Sequence, residues 1–371
     1  MRILVTGGAG FIGSHLVDAL VSRGHDVRVL DVLDPQVHGS GGARPPHLHP
    51  AAELRVADVR DRAAVREALH GVEAVFHEAA AVGVGQSMYE IERYVSVNSL
   101  GAAVLLEEIV ERRARLRRVV VASSMSIYGE GACRDADGAR VSPGLRPEAQ
   151  LARRRFEVED ARGRPLEPIP TPEDHPLRPT SVYAVTKRDH EELFLAVGAA
   201  YDVPTVALRY FNVYGTRQSL SNPYTGVVAI FASRLLNGRA PVVFEDGLQS
   251  RDFVHVSDVV AANLLALEGD AGVGGVYNVG TGRATTVRDV AGLLGRVLQV
   301  DVAPEITGRY RAGDVRHCIA DVSAITRDLG YAPRVDLARG MAELLDWLRT
   351  QSPVDRVDRA REELERRGLA R

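Results

Sequence analysis

Gly7-Gly8-Ala9-Gly10-Phe11-Ile12-Gly13 follows the apolar run Ile3-Leu4-Val5-Thr6 and opens a stretch of helical periodicity, Ser14–Ser22. The spacing is Gly7-x-x-Gly10-x-x-Gly13 rather than the commoner G-x-G-x-x-G, but the physics is shared. Glycines let the backbone turn tightly and approach a pyrophosphate. The helix that follows presents free N–H groups and the positive end of its dipole. A bare glycine cluster usually marks only a turn; a strand before it and a helix after it supply the context of a dinucleotide site. Gly7, Gly10, Phe11, Ile12 and Gly13 are therefore the candidate cofactor-binding turn. Asp31 ends the second apolar run. A carboxylate there accepts hydrogen bonds from an adenosine ribose and repels a 2′-phosphate, which favours NAD over NADP. Asp58, after the third run, reads equally as an adenine contact or as an ordinary loop acid.

Outward from this turn, short apolar runs alternate with helical stretches. Ile3–Thr6, Val27–Leu30, Leu54–Val56, Ala74–His77, Val119–Ser123 and Thr205–Arg209 read as strands. Ser14–Ser22, Arg62–Leu69, Ile91–Arg113 and the region Tyr183–Tyr201 read as helices. Continuous apolar strands alternating with helices imply an α/β fold, a doubly wound parallel sheet covered on both faces. Residues 1–210 are expected to form this Rossmann domain. Residues 211–350 are expected to form a smaller α/β substrate lobe, with strands Val242–Phe244 and Val276–Val279 and helices Val227–Leu236, Val256–Leu267, Thr286–Leu298 and Met341–Arg349. The cleft between the two is the natural ligand site. Three segments lack a core pattern: Asp34–Pro50, the long insert at about 130–180, and the charged tail 351–371, which suits an exposed helix or disorder. The insert is unusually long for a loop, so a function or structure of its own is expected.

Tyr183-Ala184-Val185-Thr186-Lys187 places Tyr and Lys four apart, on one face of a helix. Tyrosine ordinarily titrates near 10; lowering it by about three units takes roughly 4 kcal/mol. A nearby ammonium and a cationic nicotinamide ring would both favour the phenolate. Ser123-Ser124-Met125-Ser126 follows the fifth strand and so lies at the carboxyl edge of the sheet. Ser124 there can hydrogen-bond both a substrate oxygen and the tyrosine. Ser123 and Ser126 read as turn caps.

With 45% apolar and 26% charged residues and a net charge of -3, the chain is ordinary for a globular protein and carries no overall basic field. Nucleic acid is not expected as a partner. No apolar run reaches membrane-span length, and Met1–Thr6 reads as a strand rather than a signal peptide. Cys133 and Cys318 cannot build a Cys-rich zinc site, so no metal is expected; reduced thiols suit the cytoplasm. His38, His47 and His49 read as solvated loop histidines.

Taken together, these motifs resemble the extended short-chain dehydrogenase/reductase family, and within it the nucleotide-sugar epimerases such as UDP-galactose 4-epimerase. The resemblance spans nearly the whole chain. It rests on Thr6–Leu16, His77-Glu78-Ala79-Ala80, Asn98 with Gly101, Ser123–Gly129, Tyr183–Lys187, Arg209–Gly215, Arg251–Val256 and Arg311-Ala312-Gly313-Asp314. It implies that Tyr183 is the base, that Lys187 tunes it and holds the nicotinamide ribose, and that Ser124 binds the reacting hydroxyl. It places Val59, Ala79, Ala80 and Asn98 with Asp31 and Asp58 around NAD. Asn212, Arg251 and Arg311 are placed on the substrate diphosphate and Asp314 on the nucleotide ribose, of a UDP- or dTDP-sugar. It also implies a homodimer built on two helices per subunit. The 4,6-dehydratases of the family carry an Asp-Glu pair after the catalytic Ser or Thr; Met125 and Ser126 stand there instead, which disfavours dehydration. Epimerisation, expected at C4 through a 4-keto sugar, demands least of the sequence. A decarboxylase, a dehydratase or a non-catalytic NAD sensor remain the alternatives. Long inserts like 130–180 resemble a dTDP-L-rhamnose 4-epimerase-like branch; the insert could cover the sugar, form a subunit contact, or do neither.

Overall fold

The computed structural model describes residues 1–39, 42–311 and 313–371. Ser40 and Gly41 of the Gly/Pro-rich loop, and Ala312 of the Arg311–Asp314 motif, lie outside the described residues. Seven strands form one parallel sheet in the order Val276–Val279, Thr205–Tyr210, Arg118–Ser124, Ala74–His77, Arg2–Thr6, Asp26–Asp31, Glu53–Val56. Val5 lies between Val29 and Phe76. Side chains alternate between the two faces, and both faces are covered. Ile3 and Val5 pack with Leu16, Leu20 and Val259; Leu4 and Val75 pack with Leu105, Ile109 and Phe194 on the other side. This is why the strands read as unbroken apolar runs.

The strand order reverses direction between Arg2–Thr6 and Ala74–His77, the switch point at which open α/β sheets bind ligands. A second core joins Tyr214, Phe231, Val290 and Leu344 beyond the sheet's carboxyl edge. Val276–Val279, expected in that smaller lobe, instead pairs with Thr205–Tyr210 and closes the main sheet. The chain thus leaves the sheet and returns, and the lobe is fastened at both ends.

Two helices differ from their expected form. The first begins at Phe11, three residues before Ser14, because Gly10 takes an extended conformation and serves as the cap. Ile91–Arg113 is not one regular helix: Val95–Leu100 forms a π-helical turn between Ile91–Tyr94 and Gly101–Val110. The insert carries a three-stranded sheet of Cys133–Arg134, Arg140–Val141 and Glu167–Pro168, with a short helix at Glu148–Leu151. The tail is neither disordered nor detached: Val357–Arg366 is helical and buries Ala360 and Leu364. Among the described residues no helix is long and apolar enough to cross a membrane. Cys133 and Cys318 are both buried and unbonded to each other.

Candidate active site

The first helix starts where three glycines stack. Gly7 has φ of +69°, and a side chain there would meet the Ala79 nitrogen at 2.7 Å. A side chain on Gly13 would meet the Gly7 oxygen at 2.3 Å. The turn therefore closes only with glycine, and it leaves the helix N-terminus without a side-chain cap. Those uncapped N–H groups are what a pyrophosphate requires. Asp31 fixes the rim: it accepts from the Ala9 N–H at 3.0 Å and from the Leu33 N–H at 2.9 Å. His47 approaches the Ala9 carbonyl at 3.0 Å, and His38 lies 3.8 Å from the Asp31 carboxylate. These two histidines are half-buried supports of the glycine turn, not solvated loop residues as expected.

One cleft of about 890 Å3 runs from this turn into the smaller lobe. Gly7, Gly10, Phe11, Ile12 and Gly13 line it, with Asp31, Asp58, Val59, Ala79 and Ala80. So do Ser124, Tyr183, Lys187, Asn212, Arg251, Arg311 and Asp314. Asp58 is forked by Arg60, at 2.6 Å for the closest pair, and this pairing holds its carboxyl below the usual range. Asn98 is the exception. It is fully buried in the π turn, and its amide is spent on Ala81 (N–H at 2.8 Å, carbonyl at 3.1 Å) and on the Thr186 hydroxyl at 2.9 Å. It stands behind the Ala79–Ala81 wall and braces it. A second cavity, about 650 Å3, lies within the insert and is lined by none of the residues singled out above.

The Ser–Tyr–Lys set stands at the sheet's carboxyl edge. Ser124 ends its strand; Tyr183 and Lys187 lie on the first turns of Val182–Tyr201, which Ser181 caps through the Ala184 N–H. Ser126 donates to the Ser124 hydroxyl twice, from its main-chain N–H at 3.2 Å and its own hydroxyl at 2.9 Å. Ser124 is left with its own proton to give, and it lies near enough to the Tyr183 phenol to favour its ionised form. Ser126 is thus more than the turn cap expected of it: it aims Ser124. Ser87 tethers the start of the catalytic helix by accepting from the Tyr183 N–H at 3.0 Å.

Electrostatics depart from expectation at Lys187. Burial pushes the Tyr183 phenol up to about 12, and the Ser124 hydrogen bond pulls it back. Lys187 does not lower it in the chain alone. Its ammonium donates to the Ala122 carbonyl at 2.8 Å and lies 3.5 Å from His190 Nδ1. Burial drops Lys187 to about 8, while the Glu78 carboxylate supports its charge. Glu78, given no role from the sequence, also lines the cleft. It accepts from the Tyr210 hydroxyl at 2.7 Å, and burial raises it to about 7 despite that bond and Lys187. Burial thus moves Glu78 up and Lys187 down, and both line the same cleft as the phenol.

At the far end, Arg311 grips Asp314 through Nε at 3.0 Å and Nη2 at 2.7 Å, and its guanidinium lies 4.9 Å from the Phe244 ring. Arg251 reaches the same carboxylate at 3.4 Å and anchors on the Ser250 and Arg316 carbonyls. Burial opposes ionisation of Asp314, but Arg311 and Arg251 outweigh it and hold the carboxyl low. Asn212 presents a buried amide oxygen with no protein partner, as does Gln249, which the sequence reading missed. Two guanidiniums suit a diphosphate, and the orphaned acceptor oxygens of Asn212 and Gln249 suit hydroxyl or N–H donors of a ligand. Among the described residues no cluster of three or more His, Cys, Asp or Glu could hold a metal ion.

Met125 and Ser126 follow Ser124, and neither can act as an acid or base at neutral pH. The insert packs beneath the Asp314 loop. Arg146 donates to the Asp314 carbonyl at 2.9 Å and pairs with Glu245 at 2.9 Å and Glu130 at 3.4 Å. Glu130 in turn accepts from the Arg316 N–H at 2.8 Å.

Residues 3–154 and 160–280 match the model of the NAD dependent epimerase/dehydratase family. A dTDP-L-rhamnose 4-epimerase of Burkholderia thailandensis is 38% identical over 349 residues, covering 94% of this chain and 94% of the relative. The crystal structure of a Thermotoga maritima UDP-glucose 4-epimerase with UDP-glucose superposes with a TM-score of 0.77 at 34% identity, covering 94% of this chain and 99% of that one. A Thermus thermophilus UDP-glucose 4-epimerase in complex with NAD gives 0.74 at 32% identity, covering 95% and 100%. The glycine turn built for a pyrophosphate, the Ser–Tyr–Lys set and the whole-length likeness agree, and the chain belongs to the NAD-dependent epimerase/dehydratase family, in the extended short-chain dehydrogenase/reductase class.

Proposed function

We propose that this chain is an NAD-dependent nucleotide-sugar 4-epimerase, with Ser124, Tyr183 and Lys187 as its catalytic residues and a UDP- or dTDP-sugar as its substrate. The observation that carries the proposal is that Ser124, Tyr183 and Lys187 line one cleft with the glycine turn, with Met125 and Ser126 following Ser124 in place of an acid and base. Bound NAD supplies reversible hydride acceptance at the sugar carbon. Ser124 orients the reacting hydroxyl, and Tyr183 takes its proton and returns it. Lys187 and Glu78 set the charge around the phenol. Arg251, Arg311 and Asn212 hold the diphosphate, and Asp314 the ribose, as a pivot about which the 4-keto sugar turns. Forming a keto group and reducing it on the other face leaves no net redox change.

Residues 1–210 act as the cofactor domain in this reading, and 211–350 carry most of the substrate contacts. The dTDP nucleotide has support from the 38% identical relative, which is a dTDP-L-rhamnose 4-epimerase. A homodimer is supported by Ile91, Val95, Leu100, Val185 and Leu193, which expose apolar surface on the helices around 91–110 and 182–201. A reducing, cytoplasmic setting is supported by the two buried, unbonded thiols. The test is a panel of UDP- and dTDP-hexoses, with product configuration read by NMR. Inversion at C4 that Tyr183→Phe abolishes is the expected result. Carbon dioxide release, net formation of reduced cofactor, or full turnover by Tyr183→Phe would each overturn the reading.

A further inference from the structure

The C-terminal helix Val357–Arg366 is charged on most of its surface, but Val357, Ala360, Arg361 and Leu364 fall at i, i+3, i+4 and i+7 and share one face. All four line the cleft, and Leu369 beyond the helix does too. Leu364 packs against Gly85, where a side chain would meet it at 3.3 Å. Gly85 lies in the short helix Val84–Ser87, whose Ser87 tethers Tyr183. The inner face of the tail is therefore next to the reacting end of the cleft.

The tail is tied down at its rim. Arg234 pairs with Asp358 at 2.9 Å, and Arg239 with Asp358 at 3.0 Å. Arg309 pairs with Glu365, and the Arg367 guanidinium lies 4.4 Å from the Tyr89 ring. Tyr310 and Arg371 exchange main-chain hydrogen bonds at 2.9 and 3.0 Å, beside Arg311. The ties of Arg239 and Arg309 are exposed and individually weak, whereas Arg234 is buried and also meets the Asp355 carboxylate, 3% exposed, at 3.5 Å; among the tail's residues as wholes only Ala360, Leu364 and Ala370 are buried. Such a strap covers one side of the cleft.

Arg361 is the cationic group on the inner face. Its nearest carboxylates, Asp358 at 3.5 Å and Glu365 at 3.8 Å, lie on its own helix at poor range for hydrogen bonds. A partly buried guanidinium held at this range retains donors for an oxygen-rich ligand.

We propose that the strap formed by residues 353–371 roofs the sugar end of the cleft, and that Arg361 contacts a hexose oxygen and retains the sugar while it turns. This rests on the epimerase reading and assigns to the strap a task that reading creates. A 4-keto sugar that escapes leaves its hydroxyl proton on Tyr183 and its electron pair on the cofactor. Escape is therefore capped at one keto sugar per chain and stalls the enzyme. An epimerase needs a roof that a single-pass dehydrogenase does not.

Three chains decide it: Arg361→Ala, Arg361→Lys, and a deletion of residues 354–371. UDP-glucose and dTDP-L-rhamnose serve as the sugar probes, with UDP and dTDP as sugar-free controls. Arg361→Ala is expected to weaken binding of the nucleotide sugar that turns over by about tenfold, the loss of one charged hydrogen bond, and to leave UDP or dTDP affinity unchanged. Arg361→Lys recovers part of the loss. The deletion is expected to release 4-keto sugar, trapped by borodeuteride in the filtrate, up to one per chain. Bound NAD per chain reports whether the deletion has folded; where it has not, the point variants decide alone. Unchanged sugar-nucleotide binding in Arg361→Ala overturns the proposal, and so does an equal loss for UDP or dTDP. If the unaltered chain turns over no nucleotide sugar, the epimerase reading itself has failed.

Discussion

Replacing Arg146 with methionine should both loosen the fold and blunt substrate binding, although the residue lies in the insert and touches no reacting atom. The Arg146 side chain is 2% exposed and its partners Glu130 and Glu245 are 1% and 3% exposed. Glu245 keeps a second guanidinium, Arg316 at 2.9 Å, so the loss falls on Glu130. Glu130 keeps the main-chain N–H groups of Arg316 and His317, so losing its guanidinium costs about 3 kcal/mol, the low end for a broken buried pair. An unfolding entropy of about 2 cal/mol/K per residue then converts this, for a chain of 371 residues, into a Tm lower by about 4 °C. The measurement is calorimetry at one fixed scan rate, because a chain of this size can unfold irreversibly. Burial already raises the Glu130 pKa above its ordinary value, with Arg146 opposing the shift. A carboxyl raised in the fold favours folding in its protonated form, an advantage that fades as pH rises through the folded value. The deficit of Arg146→Met should accordingly shrink in acid, where a protonated Glu130 needs no guanidinium. The lost bond to the Asp314 carbonyl should raise KM for the nucleotide sugar several-fold with kcat little changed. A Tm within about 1 °C of the unaltered chain, or a deficit indifferent to pH, would refute the assignment of Arg146 as the clamp between insert and substrate loop.

Ser126→Ala removes one of two donations that aim Ser124, so kcat should fall about tenfold with KM nearly constant, as measured by steady-state kinetics. Glu78→Gln takes away the charge that supports the Lys187 ammonium. Lys187 then loses its proton below its present value of about 8, and the alkaline limb of the kcat/KM profile should move to lower pH; an unmoved limb counts against the pairing. Gly13→Ala drives a methyl into the Gly7 carbonyl at 2.3 Å, so the purified variant should carry far less NAD per chain than the unaltered protein.

What the sequence made legible was local. The glycine turn is coded by spacing within seven residues, and its steric demand is met by Gly7 and Gly13 themselves. Tyr183 and Lys187 share a helix face, and Ser124 ends a strand that reads as one. The features that escaped depend on partners far along the chain. The π turn at Val95–Leu100 is invisible to a 3.6-residue period, because one extra residue per turn leaves the apolar pattern almost intact. The tail reads as solvated because most of its residues are charged. Its few apolar residues find a use only when Gly85 and Tyr89, nearly 300 residues earlier, are brought beneath them. Lys187 was assigned to the phenol from helical spacing. The fold instead points its ammonium at the Ala122 carbonyl, a partner that only the adjacent strand supplies.

The two ends of the cleft meet opposite electrostatic demands. At the nucleotide end the arginines are permanently charged, and Asp314 lies between them. Like-charge repulsion between Arg251 and Arg311 is thereby relieved within the chain itself. At the reacting end a fixed charge would be a hindrance, since a proton has to leave the sugar and come back. There burial pushes Glu78 up and Lys187 down, and it raises the Tyr183 phenol in the same cleft. Desolvation of the cleft floor, more than the tyrosine–lysine spacing, therefore sets the charge balance at that end.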